Sequence, residues 1–345
     1  MTDSKAFTPF SKIIGQDRAI NFLKQVMASE KIPHAYLFVG IPGVGKTTTA
    51  VALTQAINCH APVNQEGCGQ CKSCRQLMGG NFPDLEIIRP DGQNIKIEQI
   101  RKLNRSFGFK PMAGRYRISI VHQAERMRDE AANAFLKTLE EPPEGNVLIL
   151  NVTEPLNLLP TIVSRCQKVP FRPIPARLIS DWLLTKKDLD EEKALVLARL
   201  SGGSLGRALE MWESDFLEKR QDCLFNLIKL TGLSLVQALE LALESTGKDK
   251  KREIDASGDG GIFGLLSIWK TWYRDLLVLK TEGPEELLIN VDFSHKLKNI
   301  EKSFKIENLI NSILIIEKAQ RDLLHTRNMD LMMENTVLAL KRLAH

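Results

Sequence analysis

Gly40-Ile41-Pro42-Gly43-Val44-Gly45-Lys46-Thr47 has the residue types that hold a polyphosphate. Phosphate recognition needs several backbone N–H groups converging on one anion, and glycine lets the chain bend that tightly. Gly40, Gly43 and Gly45 serve that end, and Lys46 reaches the terminal phosphates. Thr47, with Thr48 beside it, supplies a hydroxyl for magnesium and opens a helix whose positive end faces the anion. The expected ligand is a nucleoside triphosphate, ATP with Mg2+. The competing reading is a glycine turn that binds nothing.

A second constellation follows. Cys59, Cys68, Cys71 and Cys74 are spaced C-x8-C-x2-C-x2-C. Two overlapping Cys-x-x-Cys knuckles with a fourth thiolate suit tetrahedral zinc and leave no open coordination position, so the expected site is structural. A redox pair or idle thiols are the alternatives. Cys166 and Cys223 stand apart and are read as inert.

The surrounding pattern must deliver these groups. Apolar runs at 36–39, 85–88, 118–121 and 147–152 read as strands, separated by helical patterns at 47–58, 97–107 and 128–139. Alternation of this kind predicts a parallel sheet covered on both faces. Strand, glycine loop, helix is the context a phosphate loop requires. After residue 173 the strand signal fades. Helical patterns follow at 175–184, 190–200 and 205–212. Longer ones follow at 216–230, 235–243, 263–279 and 306–327, each with apolar residues at three- and four-residue spacing. Residues 247–261 are charged and glycine-rich, the composition of an exposed connector, and the basic run at 248–252 reads as a solvated loop.

Several longer blocks resemble one known family, the clamp-loader AAA+ proteins of bacterial DNA polymerase III. Phe10-Ser11-Lys12-Ile13-Ile14-Gly15-Gln16 resembles its adenine-side box. His34-Ala35-Tyr36-Leu37-Phe38 runs into the phosphate loop as it does there. Asn133-Ala134-Phe135-Leu136-Lys137-Thr138-Leu139-Glu140-Glu141-Pro142-Pro143 and Leu159-Pro160-Thr161-Ile162-Val163-Ser164-Arg165-Cys166 match two further blocks. The resemblance implies an α/β AAA+ P-loop core over 1–171, with the zinc insertion at 59–74. An all-α lid over 172–212 and an all-α collar over 213–345 complete the chain, and 328–342 resembles the closing collar helix. It implies a place in a pentamer with gamma/tau motor and delta subunits, a sliding clamp and primed DNA.

Two departures separate the chain from the motor branch. Where the motor subunit carries an Asp-Glu pair that orders magnesium and polarises water, this chain has His122 and Gln123. A neutral imidazole is a poor magnesium ligand, and glutamine is no useful proton acceptor. Glu125 lies past the strand end and is not expected to substitute. Where the motor subunit places an arginine on the lid helix, this chain has Gly206. Arg207 falls one residue later, roughly 100° around a helix, and is expected to point away from the nucleotide. The resemblance therefore implies impaired hydrolysis. A gamma/tau-like ATPase is the alternative within the family. An autonomous ATPase and a zinc-dependent nucleic-acid binder are the alternatives outside it.

The Ser164-Arg165-Cys166 triplet is implied by the resemblance to supply Arg165 as an arginine finger to the ATP of a neighbouring subunit. Guanidinium suits that task because it stays charged and bonds two phosphate oxygens at once. An intramolecular salt bridge is the other reading. By the same resemblance Thr153, or alternatively Asn151, senses the terminal phosphate. Arg101, Lys102 and Arg105 lie on one predicted helix, with Arg101 and Arg105 on a shared face, and face either a DNA backbone or plain solvent.

Composition narrows the class without choosing the function. The chain has 345 residues, 43% hydrophobic and 26% charged, with a net charge of +5, which suits a soluble protein of two or three domains. A charge that mild permits contact with nucleic acid but does not require it. The first residues show no signal-peptide pattern, and no stretch approaches the roughly 18 apolar residues of a membrane span. A cytoplasmic setting with reduced cysteines is expected.

Overall fold

The computed structural model describes residues 8–245, 261–323 and 328–343. Residues 248–252, nearly all of the connector predicted at 247–261, and the end of the helix predicted at 306–327 lie outside the described residues. The chain divides into two compact units. One runs to Leu178 and includes Gly202–Gly206; the other comprises Ile179–Ser201 and the chain from Arg207 onward.

The first unit is built on five parallel strands: β1 (Ala35–Val39), β2 (Leu85–Ile88), β3 (Arg117–Val121), β4 (Asn146–Val152) and β5 (Gln167–Pro170), in the order β2-β3-β4-β1-β5. The helices are α1 (Asp17–Ala28), α2 (Lys46–Asn58), α3 (Lys72–Met78), α4 (Ile97–Phe107), α5 (Asp129–Glu140) and the short α6 (Pro160–Val163). Strands β3 and β4 are buried along their whole length, as strands covered by helices on both faces must be. Ile100, Leu103 and Phe107 of α4 and Ala131, Phe135 and Leu139 of α5 join Val121, Leu148 and Leu150 in one core.

Four strands fall where alternation of apolar runs places them. The fifth does not show in the sequence. Gln167-Lys168-Val169-Pro170 buries only Val169, because β5 is an edge strand paired to β1 alone. A sequence with one apolar residue in four carries no periodic signal. Helices α1 and α3 likewise match none of the helical patterns read from the sequence.

The second unit is helical. Its elements are α7 (Ala176–Lys187, whose first residues belong to the first unit), α8 (Glu191–Leu200), α9 (Leu205–Glu213, from Arg207), α10 (Phe216–Lys229), α11 (Leu235–Ser245), α12 (Gly261–Lys280), α13 (Ser294–Ile300), α14 (Ile306–Asp322) and α15 (Met329–Leu343). Trp269, Tyr273 and Leu276 of α12 pack with Leu309 and Ile316 of α14 and Met333, Val337 and Leu340 of α15. A polar network is sealed inside. Arg220 is fully buried and donates to Asp292 Oδ2 at 2.7 Å, Asp292 Oδ1 at 2.9 Å and Asn290 Oδ1 at 2.6 Å. The Asn290 backbone N–H donates in turn to Asp275 Oδ2 at 2.7 Å. Removing one partner of such a pair strands a charge at a cost of about 3–5 kcal/mol.

Candidate functional site

In open parallel sheets, ligands gather at the carboxyl ends of the strands. The groups singled out in the sequence converge there. β1 ends in the glycine loop, β3 in His122-Gln123 and β4 in Thr153.

Gly43 and Gly45 adopt φ of +70° and +104°, which a side chain would strain. Gly45 is the N-cap of α2, so the helix opens with Lys46 and Thr47 on the loop. Lys46 Nζ bonds the Gly40 carbonyl and, at 2.9 Å, that of Ile41. Burial lowers its pKa to about 8, against the opposing pull of the Glu125 charge.

Both ring nitrogens of His122 lie 3.4 Å from Thr47 Oγ1. Burial first, then the charges of Arg89 and Lys46, lower the imidazole pKa to about 4. At neutral pH the group beside the Thr47 hydroxyl is thus an uncharged imidazole. Gln123 is exposed and takes a left-handed φ of +49°. Asn151, buried, donates from Nδ2 to Thr47 Oγ1 at 3.2 Å. Thr153 is exposed, and its backbone N–H donates to Glu125 Oε1 at 3.0 Å. Of the two residues considered for sensing the terminal phosphate, Asn151 is the one that touches the loop. Glu125 returns toward the site through the turn after β3, and its Oε2 is buried without a hydrogen-bond partner among the described residues.

Gly206 does more than lack an arginine. Its N–H donates to the Gly43 carbonyl at 2.9 Å, and a Cβ at this position would stand 2.8 Å from Gly43 Cα. Only glycine permits this approach to the phosphate loop. Arg207 lines a cavity of the second unit with Lys270 and Arg274.

Arg165 follows α6 and is held at the surface. It donates from Nη1 to the Thr161 carbonyl and from Nη2 to Glu140 Oε1, both at 2.9 Å. Its side chain is 37% exposed and that of Glu140 51%. Arg101, Lys102 and Arg105 are exposed along α4.

The four cysteines of the insertion come together, their Sγ atoms all within 4.8 Å of one another. Cys59 and Cys71 are 4.0 Å apart, Cys68 and Cys74 3.9 Å. A tetrahedral ion with metal–sulfur bonds of roughly 2.3 Å requires edges of about 3.8 Å, so the donor set fits a metal ion. The Gln70 and Cys71 backbone N–H groups point at Cys68 Sγ and lower its pKa to about 6, and the Cys68 N–H donates to Cys59 Sγ at 3.2 Å. Cys166 lies outside the cluster, its thiol pushed up to about 12 by burial.

A parallel sheet in the order 2-3-4-1-5, a glycine loop after its first strand and a helical unit beyond it define a P-loop protein of the AAA+ class. The family model described as "DNA polymerase III, delta subunit" matches residues 15–175. The chain is 29% identical to Bacillus subtilis DNA polymerase III subunit delta' over 326 residues, 94% of this chain and 96% of that protein. It is 28% identical to Bacillus subtilis subunit tau, across 99% of this chain but only 63% of tau. It is 32% identical to Escherichia coli subunit delta', over 54% of this chain and 57% of that protein. The chain belongs to the DNA polymerase III clamp-loader family.

Sequence reasoning names Glu125 and Gly206 without the contacts that the fold gives them, and passes over Glu66. Glu125 followed the strand and carried no motif. Gly206 was read for what it lacks. Glu66, inside the cysteine insertion, had no pattern to mark it, yet it bonds the segment that opens the family's adenine-side box.

Proposed function

We propose that the chain is the delta-prime-type subunit of a clamp loader, one that lends a cation to a neighbouring ATPase and hydrolyses its own nucleotide poorly. In this reading it packs through the helices of 213–345 against gamma/tau motor and delta subunits in the cytoplasm. Residues 1–171 are the nucleotide-binding core and 172–212 the lid segment. The assembly opens a sliding clamp and closes it around primed DNA. The near end-to-end match to delta' supports the assignment.

The observation that carries it is His122. A nucleotide held by Gly40, Gly43, Gly45, Lys46, Thr47 and Thr48 would find an uncharged imidazole, not a carboxylate, at the metal end of the loop. Magnesium prefers oxygen ligands, and Gln123 cannot take a proton from water. Magnesium, when bound, would screen the phosphate charges; Thr47 and Asn151 are this chain's neutral oxygen donors toward it. Arg165 completes the proposal. Its tie to Glu140 is an exposed pair worth about 0–1 kcal/mol, so the guanidinium is readily released to a γ-phosphate across a subunit boundary. The four cysteines hold structural zinc.

The experiment is steady-state ATP hydrolysis by the purified chain alone, then with motor and delta subunits, clamp and primed DNA. Negligible turnover alone is expected. The complex should show strong stimulation that Arg165→Ala depresses without preventing assembly. Unchanged hydrolysis in that complex overturns the arginine-finger role.

One observation favours a second reading, a gamma/tau-like ATPase. Glu125 presents a buried, unpartnered carboxylate oxygen close enough for its charge to act on Lys46. If it replaces the missing acids, the isolated chain turns over ATP and loses that activity in both Glu125→Ala and Lys46→Ala.

A further inference from the structure

The cysteine insertion and the phosphate loop are joined twice. The first joint is covalent. Helix α2 begins on the loop at Lys46 and ends at Asn58, with Cys59, a predicted metal ligand, as its C-cap. The second runs through Glu66. Asn64 and Gln65 take left-handed φ values of +51° and +60°, flanked by the Val63–Glu66 antiparallel bridge, whose backbone bonds are 3.0 and 2.9 Å. Two successive left-handed residues make a tight hairpin turn, and this one projects Glu66 rigidly out of the insertion.

Glu66 is well used. Its Oε1 accepts the Ser11 backbone N–H at 3.0 Å and the Lys24 ammonium at 3.0 Å, and its Oε2 accepts the Ser11 hydroxyl at 3.0 Å. Ser11 belongs to a short 3-10 turn, Phe10–Lys12, pinned by buried Phe10. From there the chain runs directly to the phosphate loop. Ile13 stands 3.8 Å from where a Cβ of Gly45 would lie. Gln16 Nε2 donates to the Val44 carbonyl at 3.4 Å and to that of Arg172 at 2.7 Å, while Gln16 Oε1 accepts the Arg172 N–H at 3.2 Å. A half-buried carboxylate with three donors is a strong tie, because each bond is charge-assisted and partly shielded from water.

We infer that Glu66 is a positioning residue that couples the metal knuckle to the nucleotide pocket. With the knuckle intact, Glu66 holds residues 10–16 against the phosphate loop. When the metal leaves, the hairpin that carries Glu66 loses its frame, and the segment is released. Coupling of this kind is reciprocal, so nucleotide must raise the metal affinity by the same factor by which the metal raises the nucleotide affinity. The inference rests on the reading of residues 40–47 as a nucleotide site and adds a metal-dependent, hence thiol-redox-sensitive, control of that site.

The test uses the full chain and a fluorescent ADP, N-methylanthraniloyl-ADP, with metal content measured on the same samples. Glu66→Ala is expected to keep its metal and to bind the probe roughly 5- to 20-fold more weakly, the lower range of allosteric couplings. Glu66→Gln, which still accepts from Ser11, recovers most of the affinity. Stripping the metal from the unmodified chain produces the same loss; stripping it from Glu66→Ala adds none. Saturating probe tightens metal binding in the unmodified chain by the same factor, read as equilibrium competition with a chelator. Unchanged probe affinity in metal-replete Glu66→Ala overturns the inference, as does an equal stripping effect in both proteins. If the unmodified chain takes up no probe, the nucleotide reading fails separately. The latch is then judged by amide hydrogen exchange over residues 10–16. Faster exchange on metal removal and in Glu66→Ala supports it, and unchanged exchange overturns it.

Discussion

The Gly206 N–H donates to the Gly43 carbonyl at 2.9 Å, and the glycine Cα leaves no room for a side chain between them. The start of α9 therefore rests directly on the phosphate loop. In an open helix, replacing glycine by alanine stabilises by up to about 1 kcal/mol. Here the added Cβ would meet backbone at 2.8 Å, which cannot yield as a flexible side chain does. Gly206→Ala is expected to destabilise by about 1–3 kcal/mol, read as a lowered urea midpoint at unchanged slope. A raised midpoint would show that the helix start is not seated on the loop. Arginine at this position shares the same Cβ, so Gly206→Arg should destabilise as well and give no gain in hydrolysis.

Arg165 and Glu140 form an exposed pair at 2.9 Å. A double-mutant cycle with alanine at each position should give a coupling below about 1 kcal/mol in thermal or urea unfolding. The assembled loader should behave differently. Arg165→Ala is expected to reduce hydrolysis at the neighbouring site by about 10³-fold, while Glu140→Ala keeps it, since freeing the guanidinium does not remove it. Equal losses in both variants would mark the pair as structural.

His122 makes the fold sensitive to acid. In the unfolded chain the imidazole binds a proton below its ordinary pKa of 6.5, whereas in the folded chain it stays neutral down to about 4. Between these values the unfolded state holds more protons, so this residue lowers stability as pH falls from about 6.5 towards 4 and has no such effect above that window. The expected loss is about 2 kcal/mol at pH 4.5 relative to pH 7.5. His122→Gln should lack this part of the acid sensitivity, and the difference between the two urea titrations isolates it. Parallel pH profiles would contradict the neutral assignment.

Lys46 gives nucleotide binding the opposite slope. Burial lowers its pKa to about 8 in the empty loop, and a bound polyphosphate must raise it again. Binding is therefore tightest where Lys46 is already protonated and weakens as pH climbs through about 8, approaching tenfold per pH unit beyond it. Isothermal titration between pH 7 and 9.5 checks this. Proton uptake on binding at pH 8.5 is the companion readout, and Lys46→Met should abolish both.

Much of the first unit is legible along the chain. The glycine loop, the cysteine spacing and four apolar runs are local signals, each complete within a few residues. Backbone sterics and hydrophobic periodicity therefore reveal them without knowledge of the fold. Strand β5 is not legible, because one buried valine in four residues makes no pattern. The buried pairing of Arg220 with Asp292 spans 72 residues, and nothing near either residue announces the other.

For the site, residue types alone say which chemical groups are present and which are missing: a lysine and a threonine on a glycine loop, four thiols, and no acidic pair after the third strand. Tertiary structure alone decided how those groups bear on one another. It set an uncharged imidazole 3.4 Å from Thr47, brought Asn151 rather than Thr153 to the loop, turned the Glu125 carboxylate back toward Lys46 and tied the cysteine insertion to Ser11 through Glu66. The reason is physical. Residue type and spacing act over one turn or one strand, but burial, charge proximity and hydrogen bonding between residues dozens of positions apart exist only once the sheet has aligned the ends of its strands.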